Sequence, residues 1–329
     1  MYHFKSNAIA ACTAAVLSTA AFSTAAWAET KWDMPVPYGD TNFHTQNIAT
    51  FAEDIKTATG GELQITVHSN GSLFKHPDIK NSVRQGLAQI GEILASRLSN
   101  EDPIFGLDSI PFLATSYDDA KKLYDASRDQ IAAKLDEQGL MLLYSVPWPP
   151  QGIYTKKAIS SIDDLKGLKM RAYNAGTEKL AQLAGALPTQ VEVPDLPTAF
   201  STGRVEAMIT SPSTGANSKV WDYLSHYSDA QAWLPRNMVF VNKDAFNALP
   251  EDQQKAVIDA SAAAETRGWA ASIEETTNQT QVLKDNGIEV SAPSPELSEG
   301  LGDIGAQMAA DWATSAGDEG KVVLDAYMK

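Results

Sequence analysis

Few residues of this chain have the types and spacing that break bonds. No G-x-S-x-G elbow, H-E-x-x-H pair or G-x-x-x-x-G-K-[ST] loop occurs in it. His44, His68, His76 and His226 lack the spacing of metal ligands, and His44, at a helix start, is expected to face solvent. The carboxylate pairs Asp118–Asp119 and Asp163–Asp164 fall where helices begin, and negative charge there offsets the backbone dipole. They read as caps rather than as an acid and a base. A secreted hydrolase built on scattered carboxylates is the alternative of another class, and nothing positive favours it. What stands out instead is a basic stretch, "LKGLKMRAYN" (Leu165–Asn174), in an acidic chain. Leu168, Met170 and Ala172 alternate with Lys169, Arg171 and Tyr173, the period of a half-buried strand. Lys169 and Arg171 therefore share a face, suited either to a surface ion pair or to an anion.

The elements that must position such a strand follow from the rest of the chain. Residues 1–28 carry Lys5, a long apolar run and Ala26-Trp27-Ala28, the pattern of a secretory leader cleaved after Ala28. Cys12, the one cysteine, lies in that leader, so the mature chain is expected to have neither disulfide nor thiol nucleophile. No later window holds the roughly 18 consecutive apolar residues that span a bilayer. The expected product is soluble and exported, in a Gram-negative cell to the periplasm. The formal charge of the full chain, −15, argues against nucleic acid or an anionic membrane surface as partner.

The remaining length, about 300 residues, suggests two domains. Ile48, Phe51, Ala52 and Ile55 predict a helix closed by Gly60-Gly61, and "LQITV" after it predicts a strand. The alternation continues through "IKNSVRQGLAQ" (helix), "IGEIL" (strand), a helix over about 116–139 and the strand "MLLYSVPWPP". Pro147, Pro149 and Pro150 mark a domain crossing, because proline cannot serve a central ladder. "SIDDLKG" is a capped turn, with Ser161 as cap and Asp164 three residues on. A second run of strands and helices follows, then the strand "NMVFVNK" and a helix from Pro250 to about Asp285. That helix is long enough to pack against both domains. The fold class is α/β, with largely parallel, doubly wound sheets that bind ligands beyond the carboxyl ends of their strands.

Five segments, in order, carry a resemblance: "FAEDIKTATGGELQITVHSNGSLF", "GLDSIPFL", "SIDDLKGLKMRAYN", "PTAFSTGRVEAM" and "ALPEDQQKAV". Together they resemble the substrate-binding proteins of tripartite ATP-independent periplasmic (TRAP) transporters, of the C4-dicarboxylate-binding type. The resemblance spans essentially the whole mature chain. It implies two hinged α/β domains around a ligand cleft, of the type II periplasmic binding protein kind, with a long helix spanning both. Domain I would hold residues 29–148 and about 237–275, and domain II residues 149–236 and about 276–329. It also implies a monomer without metal, cofactor or catalysis. Such a receptor captures a small organic acid and docks on a small and a large, sodium-coupled, membrane subunit.

The resemblance matches Arg171 to the family's signature arginine, which grips a substrate carboxylate through a guanidinium fork. Asn174 matches a polar position beside it. Gln151 stands where many members have a second arginine, so a monocarboxylate is expected rather than a dicarboxylate. Thr210 replaces a common asparagine, and Ser211 and Ser213 follow with further hydroxyls. Arg97 matches a ligand-near arginine of sialic-acid-type members, or pairs with an acidic neighbour. Glu92 lies inside a buried strand, where a charge needs a partner; that partner is either an arginine of the chain or a cationic group on the solute. Trp32, Tyr38, Phe43, Trp148, Tyr154, Tyr173 and Trp233 could wall such a cation, Trp148 foremost. An amine or zwitterion, ethanolamine-like or amino-acid-like, is thus the competing ligand.

Overall fold

The computed structural model of the protein describes residues 29–329 together with Met1 and Tyr2. The expected leader, its cleavage point after Ala28 and Cys12 lie outside the described residues. β1 (Thr30–Pro35), α1 (Phe43–Ala58) and β2 (Leu63–His68) form a parallel strand pair with its crossover helix. α1 starts at Asn42, whose side chain accepts the His44 N–H, and buries Ile48, Phe51, Ala52 and Ile55 on the expected stripe. α2 (Ile79–Arg84), β3 (Ile90–Leu94), α3 (Tyr117–Asp136) and β4 (Leu140–Pro147) complete the first lobe. All five residues of β3 are buried, as suits a strand covered on both faces.

Past Pro147 the chain builds a second lobe. It begins with β5 (Gly152–Thr155), β6 (Lys169–Ala172), α4 (Ala175–Leu183) and β7 (Leu187–Gln190). α5 (Leu196–Ser201), β8 (Ala207–Thr210), α6 (Pro212–Asn217) and β9 (His226–Ser228) follow. The return passes through β10 (Arg236–Asn242), α7 (Lys243–Asn247), α8 (Glu251–Asp285), β11 (Glu289–Ser291) and α9 (Pro295–Tyr327).

The α/β class is the one expected, but the sheets are mixed rather than largely parallel. β10 lies between β3 and β4 and is antiparallel to both. In the second sheet, ordered β11-β9-β5-β8-β6-β7, β5 is antiparallel to both β9 and β8. The reason is topological: a strand entering a lobe from the crossing runs away from the cleft, against neighbours that end there. The two crossings also pair with each other. Trp148 N–H donates to the Pro235 carbonyl at 2.7 Å, Gln151 N–H to Trp233 at 3.0 Å and Ala232 N–H to Gln151 at 2.9 Å.

α8 packs first on α1 and β4, then on α6 and β11, and so ties the lobes together. At Gly268 a Cβ would stand 2.4 Å from Val146 Cγ2 and 2.8 Å from Asn47 Nδ2, so glycine permits the approach. α9 returns to the first lobe: Trp312 Nε1 donates to the Pro103 carbonyl at 2.7 Å and Tyr327 OH to that of Leu113 at 2.8 Å. The sequence places residues 276–329 with the second domain, whereas these contacts set the end of α9 on the first. The difference arises because packing partners, not chain order, decide where a terminal helix lies.

Candidate functional site

A cavity whose empty space, open solvent included, is about 390 Å³ lies between the lobes. Its first-lobe wall is Tyr38, His76, Leu94, Arg97 and Trp148. Gln151 enters from the crossing, and Arg171, Tyr173, Glu192, Thr210 and Ser211 come from the second lobe. Most stand at or just past the carboxyl ends of β3, β4, β6, β7 and β8, where α/β sheets collect ligands.

Arg171 reaches the cavity because β6 buries Met170, Arg171 and Ala172 while leaving Lys169 exposed. Lys169 donates to the Gly203 carbonyl at 3.1 Å, away from the cavity. The Arg171 side chain is 2% exposed. Its Nε donates to the Val191 carbonyl at 3.0 Å, and its guanidinium carbon sits 4.8 Å from the Tyr173 ring centroid. Those two contacts fix the fork's plane and leave the terminal amino groups free. Among the described residues no carboxylate lies within 4.0 Å of it. Burial lowers its pKa to about 10, so it still carries its charge at neutral pH.

The other charges of the cavity neutralise one another. Arg97 Nη2 is 2.9 Å from Glu192 Oε1, and its Nη1 donates to the Tyr173 carbonyl at 2.8 Å. His76 Nδ1 is 3.5 Å from Glu192 Oε2, while its Nε2 accepts the Leu94 N–H at 3.1 Å. That acceptor role places the imidazole proton on Nδ1, and burial depresses the ring's pKa, so His76 is neutral. Against the effect of burial, the His76 hydrogen bond and the Arg97 and Arg171 charges hold the Glu192 carboxyl below its ordinary value. Arg97 and Glu192 cancel, and Arg171 remains as one unmatched positive charge.

The neutral polar groups are partly committed. Gln151 Nε2 donates to the Pro149 carbonyl at 2.9 Å and its Oε1 accepts from Tyr173 OH at 3.2 Å. Ser211 caps α6, its Oγ accepting the Thr214 N–H at 3.1 Å. Thr214 also lines the cavity, whereas Ser213 donates to Glu275 at 2.6 Å outside it.

Two expected site residues stand elsewhere. Asn174 caps α4: its Oδ1 accepts the Thr177 N–H at 2.8 Å and its Nδ2 donates to Ser96 Oγ at 2.7 Å. It does not border the cavity, because a side chain that follows a strand and opens a helix turns back to the helix's free amides. Glu92 lies behind the wall and not in it, and its partners are Asn237 and His44 rather than an arginine. Of the aromatic candidates, Tyr38, Trp148 and Tyr173 face the cavity, while Trp32, Phe43, Tyr154 and Trp233 are core. His44, expected in solvent, is 1% exposed and lies 4.4 Å from the Trp148 ring. The sequence did not single out Glu192, His76 or Thr214 as site residues. None belongs to a motif, and only the meeting of separate loops brings them together.

A sequence profile for the bacterial extracellular solute-binding proteins, family 7, matches residues 38–312. The chain belongs to this family. It is similar to DctP7 of Bordetella pertussis, an extracytoplasmic solute receptor binding pyroglutamic acid. Identity to that solved structure is 49% and the TM-score 0.90, covering 91% of this chain and 100% of the other. A marine metagenome TRAP solute-binding protein specific for pyroglutamate is 44% identical with a TM-score of 0.90, over 92% of this chain and 99% of its own. The C4-dicarboxylate-binding periplasmic protein DctP of Rhodobacter capsulatus is 24% identical over 247 residues, 73% of each chain. This family 7 receptor is therefore a TRAP solute-binding protein, a transport component and not an enzyme by family. Receptors of the family are periplasmic and work with membrane subunits. Among the described residues no helix is long and apolar enough to cross a membrane.

Proposed function

We propose that this receptor captures a small monocarboxylate, with pyroglutamate the leading candidate, and presents it to its membrane subunits. The observation that carries the reading is Arg171, a buried guanidinium with a fixed plane and no counter-ion in a cavity otherwise neutral. One unmatched cation suits one carboxylate. A dicarboxylate would need a second, and Arg97 is already engaged by Glu192 while Gln151 brings no charge. An ammonium group has no free anion to meet in the cavity, since Glu92 stands behind the wall. The pyroglutamate-binding relatives support the same class of solute. Arg171 serves as the clamp, with Thr210, Ser211, Gln151 and the Tyr38–Trp148 wall around the remaining atoms. Closure turns about the paired crossings, in a monomer freed of its leader after Ala28.

Mass spectrometry of solute released from the purified, denatured protein identifies the ligand, and an unmodified monocarboxylate is the expected result. By calorimetry, pyroglutamate should bind and succinate should bind far more weakly. Arg171→Ala should cost about 2–5 kcal/mol, roughly 30- to 4,000-fold in Kd. Affinity within twofold of the parent would remove Arg171 from the site.

A further inference from the structure

Behind the aromatic wall lies a buried polar hub that the carboxylate clamp does not explain. Asn237 of β10 faces Leu94 of β3 and Val146 of β4 across the sheet and is 1% exposed. Its Oδ1 accepts from Trp148 Nε1 at 2.8 Å and from Tyr38 OH at 3.3 Å. Both donors line the cavity. With its oxygen so engaged, the amide must turn its Nδ2 toward β3, where it donates to Glu92 Oε1 at 2.9 Å. Glu92 is thus the acceptor that fixes the orientation of Asn237, and through it two cavity-facing rings.

We propose that Glu92 is a positioning residue for the solute, holding the Tyr38–Trp148 wall through Asn237. The proposal rests on the monocarboxylate reading of the cavity. The surroundings call for the uncharged acid. From α1, His44 Nδ1 lies 3.4 Å from the same Oε1; Tyr144 of β4 and Tyr38 are the other titratable neighbours. Among the described residues no lysine or arginine pairs with Glu92, and its Oε2 has no hydrogen-bond partner. Burial raises the Glu92 pKa to about 8, and burial alone keeps His44 neutral. As an uncharged acid, Glu92 supplies the acceptor without setting a negative charge near the bound anion. A leucine there would strand the Asn237 amide, and an ionised carboxylate would repel the solute.

The test compares Glu92→Gln, which keeps a carbonyl acceptor, with Glu92→Ala, which does not. Calorimetry with pyroglutamate should give a Kd within threefold of the parent for the glutamine variant and at least tenfold weaker for the alanine variant. Without solute, exchange of the Trp148 indole N–H, followed by NMR, should accelerate at least tenfold in the alanine variant only. From pH 7 to 9 the parent's affinity should fall while that of Glu92→Gln stays flat. The proposal is overturned if Glu92→Ala binds within twofold with indole exchange unchanged, or if the glutamine variant is as weak as the alanine one. Should the alanine variant fail to fold, parallel pH profiles for parent and glutamine variant overturn it instead. If the parent binds no pyroglutamate, the solute reading fails, and the indole exchange still decides the positioning role.

Discussion

At the scale of single residues, two buried ionisable groups are held for opposite purposes. Arg171 keeps its charge, because burial lowers the pKa of a guanidinium only to about 10. Glu92 gives its charge up, because burial raises a carboxyl to about 8 and only Asn237 opposes the shift. The second has a consequence for stability. Between the unfolded value of 4.5 and the folded value of about 8, the native state binds a proton that the unfolded chain has lost. Stability must therefore fall as pH rises through that window, by up to about 1.4 kcal/mol per pH unit. Glu92→Gln lacks this titration, so denaturant unfolding at pH 5 and pH 8 should show the variant gaining on the parent at the higher pH. An equal response of both proteins would mean that Glu92 is ionised in the fold. The sequence marked Glu92 as a charge in need of a partner, and that much was legible from a buried-strand pattern. It offered an arginine or the solute as the partner; the structure supplies Asn237 and His44.

Elements show where local signals suffice. The stripe of α1, the capped turn at Ser161 and the extent of α8 follow from periodicity and capping, which act within a few residues. The four-residue β5 and three-residue β9 went unread. The mixed sheets were equally hidden, because strand direction depends on which lobe a strand enters and from which side. Asn174 illustrates the ambiguity of a polar residue at a strand–helix junction: its spacing from Arg171 fits a ligand contact, and its position fits a cap. The geometry is that of a cap with a further bond to Ser96 across the lobes. Asn174→Ala should cost about 0.5–2 kcal/mol of stability by urea unfolding, with most of it restored by Asn174→Ser. Unchanged stability with a large loss of affinity would return Asn174 to the ligand.

Over the whole molecule, Glu192 joins the lobes at the cavity mouth, meeting Arg97 and His76 from the other side. The pair is partly screened, with the Glu192 side chain 29% exposed, so its contribution is about 1–2 kcal/mol. Glu192→Gln should raise the solute's dissociation rate roughly 5- to 30-fold in stopped flow. Small-angle scattering of the solute-bound variant should show a more open particle, and an unchanged rate and profile would mean that closure does not depend on this pair. The latch also defines what each level of description decides. By itself the sequence determined the α/β class, the order of most elements and the receptor family, because period, caps and motifs are properties of neighbouring residues. Only the tertiary structure decided which charges cancel and which one is left over. Glu92 meets Asn237 from 145 positions away, and Asn174 meets Ser96 from 78. Such meetings are set by sheet register and by the joining of two lobes, which no local spacing encodes.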